Sequence, residues 1–367
     1  MHISPFIASY PREELITSPT SFFSSIKYNY NEYRVNGIYR EFEQPGYFAY
    51  RITTGGKTQT GLLTMTDVKE LKNKRVLKHE KTLAAKEQTM MHRLLQTKAL
   101  VKPVLLTYKP IKAIQNILDE VTQSEPLLNI NFESEDGIHQ IWPISDQKTV
   151  DTITKSFSKV GKSYIGDGHH RSTTMQLLSK TKELGKEAKK FRRLYTAYFP
   201  YDQVTICDYN RVVDISEITS LPEFIVALSK YFDIEPLAEQ AKPKKKHHVT
   251  FFIDNRWYLM KWKKKYLSKK SKQSVLLDSA LINKHVFEEI LGIADVRDDT
   301  RIKYFGGTLP LKKMEMSSQK RNIGIGICIF PVSVKELTAI ADQNQTLPPK
   351  STWFLPRLKS GILAKNL

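Results

Sequence analysis

Residues 161–178 constrain this chain more tightly than any other segment. Tyr164 and Ile165 form a short apolar run that reads as the end of a buried strand. Gly166 and Gly168 allow a tight turn around Asp167, and Met175 and Leu178 then follow at helical spacing among polar residues. A strand, a glycine turn and a helix start bring free backbone N–H groups and the positive end of a helix dipole to one point. Asp167, His169, His170 and Arg171 crowd that same turn. Two imidazoles, a carboxylate and a guanidinium there suit gripping a phosphate and moving a proton or phosphoryl group beside it. The same residues also read as a helix cap, Asp167, followed by a polar surface; the local pattern leaves both open.

The chain has 367 residues, enough for two or three domains. Its hydrophobic share of 40% is low for a globular protein but far from disordered, and 17 Tyr and 17 Phe supply material for a core. Cys207 and Cys328 are too few for a disulfide framework or a cysteine-type zinc site. Residues 1–6 lack the pattern of a secretory leader. The apolar run at 323–332 is short and broken by glycines, so a soluble cytoplasmic protein without membrane association is expected. The formal charge of +19 favours anionic partners. Much of it lies in residues 242–272, where lysines flank a hairpin pattern (248–253 and 256–260 around Asp254-Asn255). A solvated sheet edge blunted by lysine is favoured there over a nucleic-acid patch, so nucleic acid is a possible partner but not the favoured one.

Periodicity places strands at 47–52, 58–63, 103–108, 138–144, 194–201, 301–305 and 323–330. It places helices at 82–96, 111–121, 150–160, 222–232, 276–291 and 334–343. Residues 66–77 read as a short helix plus connector, 180–190 as a charged linker, and 1–60 as rich in turns and aromatics. Hairpins mixed with crossovers indicate an α+β fold. Three segments are expected: a divergent 1–45, a core at 46–185 and a C-terminal α/β portion at 186–367.

A second constellation, residues 78–82 (Lys-His-Glu-Lys-Thr), stands at the mouth of the 82–96 helix. Glu80 reads either as an acid favoured by the helix dipole or, if it meets the Asp167 turn, as a general base for a hydroxyl. His79 and Thr82 are weaker substrate-contact candidates beside it. Position 83 is Leu, which excludes the zinc-binding His-Glu-x-x-His pattern. Mg²⁺ held by Asp167 and substrate phosphates is the more plausible metal reading. Residues 348–352 lack the glycines of a phosphate-binding Walker loop. Arg297 lies in a cluster of opposite charges at 295–301, read as surface ion pairs or a ligand contact, and Lys350 is a further weak candidate.

These blocks, in this order, resemble the DUF1015 family of bacteria and archaea. The resemblance is carried by residues 78–82, 164–171, 295–299 with Gly306-Gly307, and 347–361, and it spans roughly residues 45–367. Asn210 stands before Arg211 where relatives often have His. The Asp-Gly-His-His-Arg turn is also similar to the phosphate-binding turn of the ParB/sulfiredoxin-like superfamily, which includes partition proteins, sulfiredoxin and free-serine kinases. That kinship implies a ParB/sulfiredoxin-like mixed α/β core with an additional C-terminal α/β subdomain. It also implies phosphoryl transfer between a nucleotide (ATP or ADP, with Mg²⁺) and free serine or O-phosphoserine. On that reading Glu80, Asp167 and His169 are catalytic, and Gly168, His170, Arg171 and Ser172 hold phosphate. A non-enzymatic nucleotide- or DNA-binding module is the alternative. A sulfiredoxin-like redox activity would need a cysteine in the turn, and neither Cys207 nor Cys328 is there.

Overall fold

The computed structural model describes residues 1–133, 137–268 and 275–367. Lys269, Lys270 and Lys272 of the lysine-rich stretch lie outside the described residues. The chain forms an α+β fold of two compact units, residues 1–205 with 356–367, and residues 206–355.

The first unit is built on a nine-stranded mixed sheet. Its strands are β1 (Ile3–Ser4), β2 (Tyr47–Thr54), β3 (Lys57–Asp67), β4 (Val76–Leu77), β5 (Val104–Tyr108), β6 (Leu128–Phe132), β7 (Gly137–Ile144), β8 (Ser163–Asp167) and β9 (Arg193–Pro200). They run in the order β4-β8-β5-β9-β3-β2-β7-β6, and β1 pairs with the far end of β3. The β9–β5 and β8–β4 pairs are parallel and the other pairs antiparallel. Gly55 and Gly56, at φ +55° and +72°, close the β2–β3 hairpin, because a two-residue turn matched to strand twist needs left-handed residues. The unit's helices include α1 (Pro19–Val35), α2 (Ala84–Thr97), α3 (Lys112–Val121), α4 (Gln147–Ser158) and α5 (His169–Leu178), with α2 packed on α5.

Aromatic side chains fill the core: Tyr47, Phe48, Tyr50, Tyr108, Phe132, Phe157, Tyr198 and Phe199 are fully buried. Helix α1 falls where the sequence reads as turns. Only Phe23, Ile26 and Tyr30 are buried on it, and serines, asparagines and exposed tyrosines dilute that apolar face. Residues 1–45 are integral to this unit. Besides β1, residues Ser9–Pro11 pair with Tyr39–Glu41, and Ser9 pairs with Ala364. The division between units falls at 205/206 rather than near 185, because β9 is an inner strand of the large sheet. Residues 356–367 return to the first unit, where Lys365 and Asn366 pair with Leu100 and Ala99.

The second unit carries a six-stranded antiparallel sheet. Its strands are β10 (Tyr209–Asp214), β11 (Phe232–Leu237), β12 (His248–Ile253), β13 (Arg256–Trp262), β14 (Ile302–Gly306) and β15 (Gly324–Ile329), in the order β11-β13-β12-β15-β10-β14. Helices α6 (Leu221–Ser229), α7 (Leu311–Gln319) and α8 (Val334–Asp342) belong to it. The expected 248–260 hairpin is present, with Asp254 and Asn255 both at positive φ. It is not an edge, however: β11 and β15 flank it. The described lysines lie in the loop before β12 and along and just after the end of β13; Lys242 pairs with Asp208 at 3.2 Å and Lys261 with Glu235 at 2.5 Å. The expected 276–291 helix is instead a single α-turn, Asp278–Leu281, that widens into a π-helical stretch, Ile282–Glu288. Among the described residues no helix is long and apolar enough to cross a membrane.

Gly61, in the middle of β3, has no room for a side chain: a Cβ there would lie 2.5 Å from the Tyr198 carbonyl oxygen and 2.8 Å from the Phe199 ring. Gly61→Ala is expected to cost about 1–3 kcal/mol by overpacking. Urea unfolding checks this, and an unchanged midpoint would show that β9 yields freely.

Candidate functional site

The Asp167 turn joins β8 to α5 as the sequence implies, but the helix begins earlier than its apolar spacing suggests, at His169. Gly168 caps it at φ 104°. A side chain there would be strained in this conformation, which is what calls for glycine, and the Arg171 guanidinium, 2.7 Å from a Cβ at this position, would have to shift. The N–H groups of the first turn have no intrahelical partner, and no acidic side chain lies in that turn.

The two sequence motifs meet here. The His79 backbone N–H donates to Nε2 of His169 at 3.4 Å, and the Leu83 N–H donates to Nε2 of His170 at 3.2 Å. Lys78 Nζ donates to the Thr173 hydroxyl at 2.6 Å. An imidazole that accepts at Nε2 carries its hydrogen on Nδ1. Nδ1 of His169 faces the Glu80 carboxylate at 3.4 Å. Burial pushes His169 well below its ordinary pKa, with His79 next to it acting the same way; burial also takes His79 down to about 3. Both imidazoles are therefore neutral, and their rings pack edge to face at 4.4 Å. His169 is 3% exposed while Glu80 is 46% exposed, so a buried neutral donor holds a carboxylate that faces outward.

A charge cluster lies one turn along. Arg171 Nη2 donates to Asp167 Oδ2 at 2.8 Å, and Lys102 Nζ lies 3.9 Å from the same oxygen. Burial opposes ionisation of Asp167, but Arg171, Lys102 and Arg357 outweigh it and hold the carboxyl far below the usual range. Lys102 is pushed down to about 8, first by burial and then by Arg171, with Asp167 opposing and Arg357 and Lys359 adding to the fall. One carboxylate thus stands among several cations, leaving net positive charge for an anion.

A cavity of about 290 Å³ opens beside these cations. Lys27, Arg93, Lys102 and Arg171 contribute its charge, and Met90, Leu94, Leu100, Met175, Leu194 and Tyr195 contribute apolar wall. No carboxylate occurs among its described lining residues. Helix α2 buries no residue fully, and the face carrying Met90, Arg93, Leu94 and Thr97 borders this space. The strand pairing of residues 365–366 with 99–100, and the hydrogen bond from Gly361 N–H to the Val101 carbonyl at 2.6 Å, fix the segment that presents Lys102.

The match to known proteins settles the kinship. A family described as a protein of unknown function (DUF1015) matches residues 9–283. The chain belongs to the DUF1015 family. Its match extends well before residue 45, into the stretch that reads as divergent. No curated protein matches. Among solved structures the chain is similar to a mutant free serine kinase in complex with ADP, at 12% identity and a TM-score of 0.40, over 83% of this chain and 90% of that one. It is similar to free serine kinase in complex with AMP at 11% identity and a TM-score of 0.41, over 80% and 87%. It is also similar to SbnI with a C-terminal truncation from Staphylococcus aureus, at 14% identity and a TM-score of 0.40, over 80% and 82%. No residue role in this DUF1015 protein follows from likenesses so remote.

Thr82 lies half-buried in the stitched loop, between Glu80 and the start of α2. Ser172 is fully buried and its hydroxyl donates back to the His169 carbonyl at 2.8 Å, so it serves the helix first. Arg297 and Lys350 belong to the second unit. There Arg297 forms a two-pronged exposed pair with Asp295, at 2.9 and 2.6 Å. Sequence reasoning missed Lys102 and Arg357, since each is one basic residue among 57 until the strand pairing brings it to Asp167. Among the described residues no group of three or more His, Cys, Asp or Glu is arranged to hold a metal ion.

Because Lys102 titrates near 8, a phosphate-bearing ligand of the cavity should bind more weakly as the pH rises through that value and the ammonium loses its proton. ADP affinity measured by calorimetry from pH 6.5 to 9.5 checks this. Lys102→Arg, which keeps its charge throughout, should flatten the profile; an identical profile in the variant would remove Lys102 from phosphate binding.

Proposed function

We propose that this protein is a nucleotide-dependent phosphotransferase acting on free serine and O-phosphoserine, with ADP or ATP as the other partner. The observation that carries the reading is the placement, at one helix start, of the outward-facing Glu80 carboxylate held by neutral His169 and the Arg171–Lys102 cations bordering an apolar-walled cavity. A nucleotide has the matching halves: a flat apolar base and an anionic phosphate chain. The large mixed sheet with its Asp-Gly-His-His-Arg turn is also what a ParB/sulfiredoxin-like core would supply.

Each residue has a chemical role on this reading. The first-turn N–H groups at Gly168 and His169, with Arg171 and Lys102, hold phosphate oxygens and offset the charge of the transferring group. Glu80 takes the proton from the serine hydroxyl as the new O–P bond forms and the nucleotide phosphoanhydride breaks; in reverse it returns that proton. Asp167 is a poor base, because its carboxyl is held ionised by three cations; it orients Arg171 and Lys102. Arg171 and Lys102 both approach Asp167 at Oδ2, and Oδ1 would hold a Mg²⁺ together with substrate phosphates. Such an ion would supply further charge neutralisation at the phosphates. His169 acts as a positioning residue for Glu80. His170, with Nε2 occupied, has its Nδ1 hydrogen left for a phosphate oxygen.

A phosphorus NMR time course with Mg²⁺, ADP and O-phosphoserine, and with ATP and serine, tests this. Glu80→Gln should slow transfer by about 10²–10⁴-fold while leaving nucleotide affinity nearly unchanged. Arg171→Ala should weaken both. Equal loss of rate and affinity in Glu80→Gln would refute the general-base role. Absence of transfer in every pairing, together with steeply salt-dependent DNA binding, would establish the binding-module alternative instead.

A further inference from the structure

The second unit holds a buried cation that has no counter-charge among the described residues. Arg211 lies in β10, paired across the sheet with Tyr304 of β14 and Ile327 of β15. It alternates with Val213, which belongs to the aromatic-rich core of this unit, and it is 0% exposed. Its Nη2 donates to the Lys350 carbonyl at 3.4 Å, while Nε and Nη1 have no acceptor among the described residues. The guanidinium lies 5.8 Å from the ring centres of both Phe287 and Tyr304. The Tyr304 hydroxyl donates to the Val296 carbonyl at 2.7 Å, which leaves its oxygen as the further polar group that favours the Arg211 charge. A buried charge met only by one long hydrogen bond, a phenol oxygen and two ring faces, with no carboxylate, is costly, and proteins that retain one pair it.

The surroundings are unfinished in the same way. Ser279, Asn283 and Phe287 recur four apart on the turn that widens into the π-helical stretch, an irregularity often found at functional sites. Ser351 shares a 2.9 Å hydrogen bond with the Ser279 hydroxyl, and the Asn283 side-chain oxygen is buried with no donor among the described residues. The covering turn at 348–352 carries Lys350, exposed and held at φ 54°, the left-handed region that non-glycine residues rarely adopt.

We infer that Arg211 is the anchor of a second ligand site, within residues 206–355, which takes the carboxylate of a small organic molecule under the 348–352 turn. The charge balance selects a carboxylate: one buried guanidinium among neutral hydroxyls is neutralised by one negative charge, whereas a phosphate dianion would leave an excess charge buried. This site is independent of the phosphotransferase reading, because none of its residues takes part in that chemistry.

The test uses the full-length protein. Acetate, glycine and inorganic phosphate are titrated at constant ionic strength, with melting temperature and calorimetric heat as readouts. The expected result is saturable stabilisation by acetate or glycine that is absent in Arg211→Met. The unliganded methionine variant should melt at or above the wild type, since replacing an uncompensated buried charge by an apolar side chain of similar volume is often neutral or stabilising. Arg211→Lys should raise the half-saturating carboxylate concentration at least about tenfold, by the loss of a charge-assisted hydrogen bond, and it decides the matter if the methionine variant fails to fold. No saturable effect of either carboxylate, an unchanged half-saturation in Arg211→Lys, or carboxylate stabilisation that survives in Arg211→Met would overturn the site. Phosphate acting through Arg211 in place of the carboxylates would overturn the ligand class.

Discussion

The backbone N–H groups of His79 and Leu83 end on the imidazoles of His169 and His170, and the candidate site depends on those two hydrogen bonds. They can form only if both rings accept at Nε2. Burial secures this for His169 by making its charged form expensive. A neutral His169 then presents its Nδ1 hydrogen to Glu80. One desolvated ring thereby fixes a loop, a tautomer and the place of a carboxylate. A protonated His169 would donate at Nε2, repel the His79 N–H and release the loop.

The fold around this staple keeps charge and apolar wall apart. Inner strands β3 and β9 are buried along most of their length and carry threonine and tyrosine hydroxyls that satisfy one another, such as Thr66 with Thr196 at 2.8 Å and with Tyr198 at 3.0 Å. Their rigidity positions β8 and β5, which deliver Asp167 and the Lys102 segment. Helix α2, by contrast, buries no residue fully and lies along the cavity. The cations at the cavity carry little compensating negative charge, so the region is poised for an anionic ligand. The second unit also buries one guanidinium, Arg211, beside neutral hydroxyl and aromatic side chains.

Much of the fold was legible where periodicity was clean. The 47–63 hairpin, the 104–108 and 138–144 strands, the 112–121 helix and the 248–262 hairpin sit close to where alternation and turn residues put them. Misses have physical causes. Helix α1 buries only one aromatic stripe, so its polar majority hides its period. Strand β10 buries Asn210 and Arg211, polar residues that erase the alternation on which strand reading rests. The 242–272 lysines suggested a sheet edge, yet the hairpin they flank is interior because Phe232–Leu237, whose Asp233, Glu235 and Pro236 obscure a strand pattern, pairs on one side and Gly324–Ile329 on the other.

Within the site, local sterics and residue chemistry, which act over a few bonds, made the glycine turn, a helix behind it and the roles open to Asp167, His169, His170, Arg171 and Glu80 readable from the residues alone, although the helix starts earlier than its apolar spacing suggests. Tertiary structure alone decided that Glu80 meets His169 rather than lying elsewhere on the surface, and that His169 and His79 are neutral. It also decided that Lys102 and Arg357 act on Asp167, and that Arg211 is stranded in a core. Each of those outcomes depends on burial and on pairings across tens to hundreds of residues, and desolvation and Coulomb energy follow distance in space, which a linear order of residues does not contain.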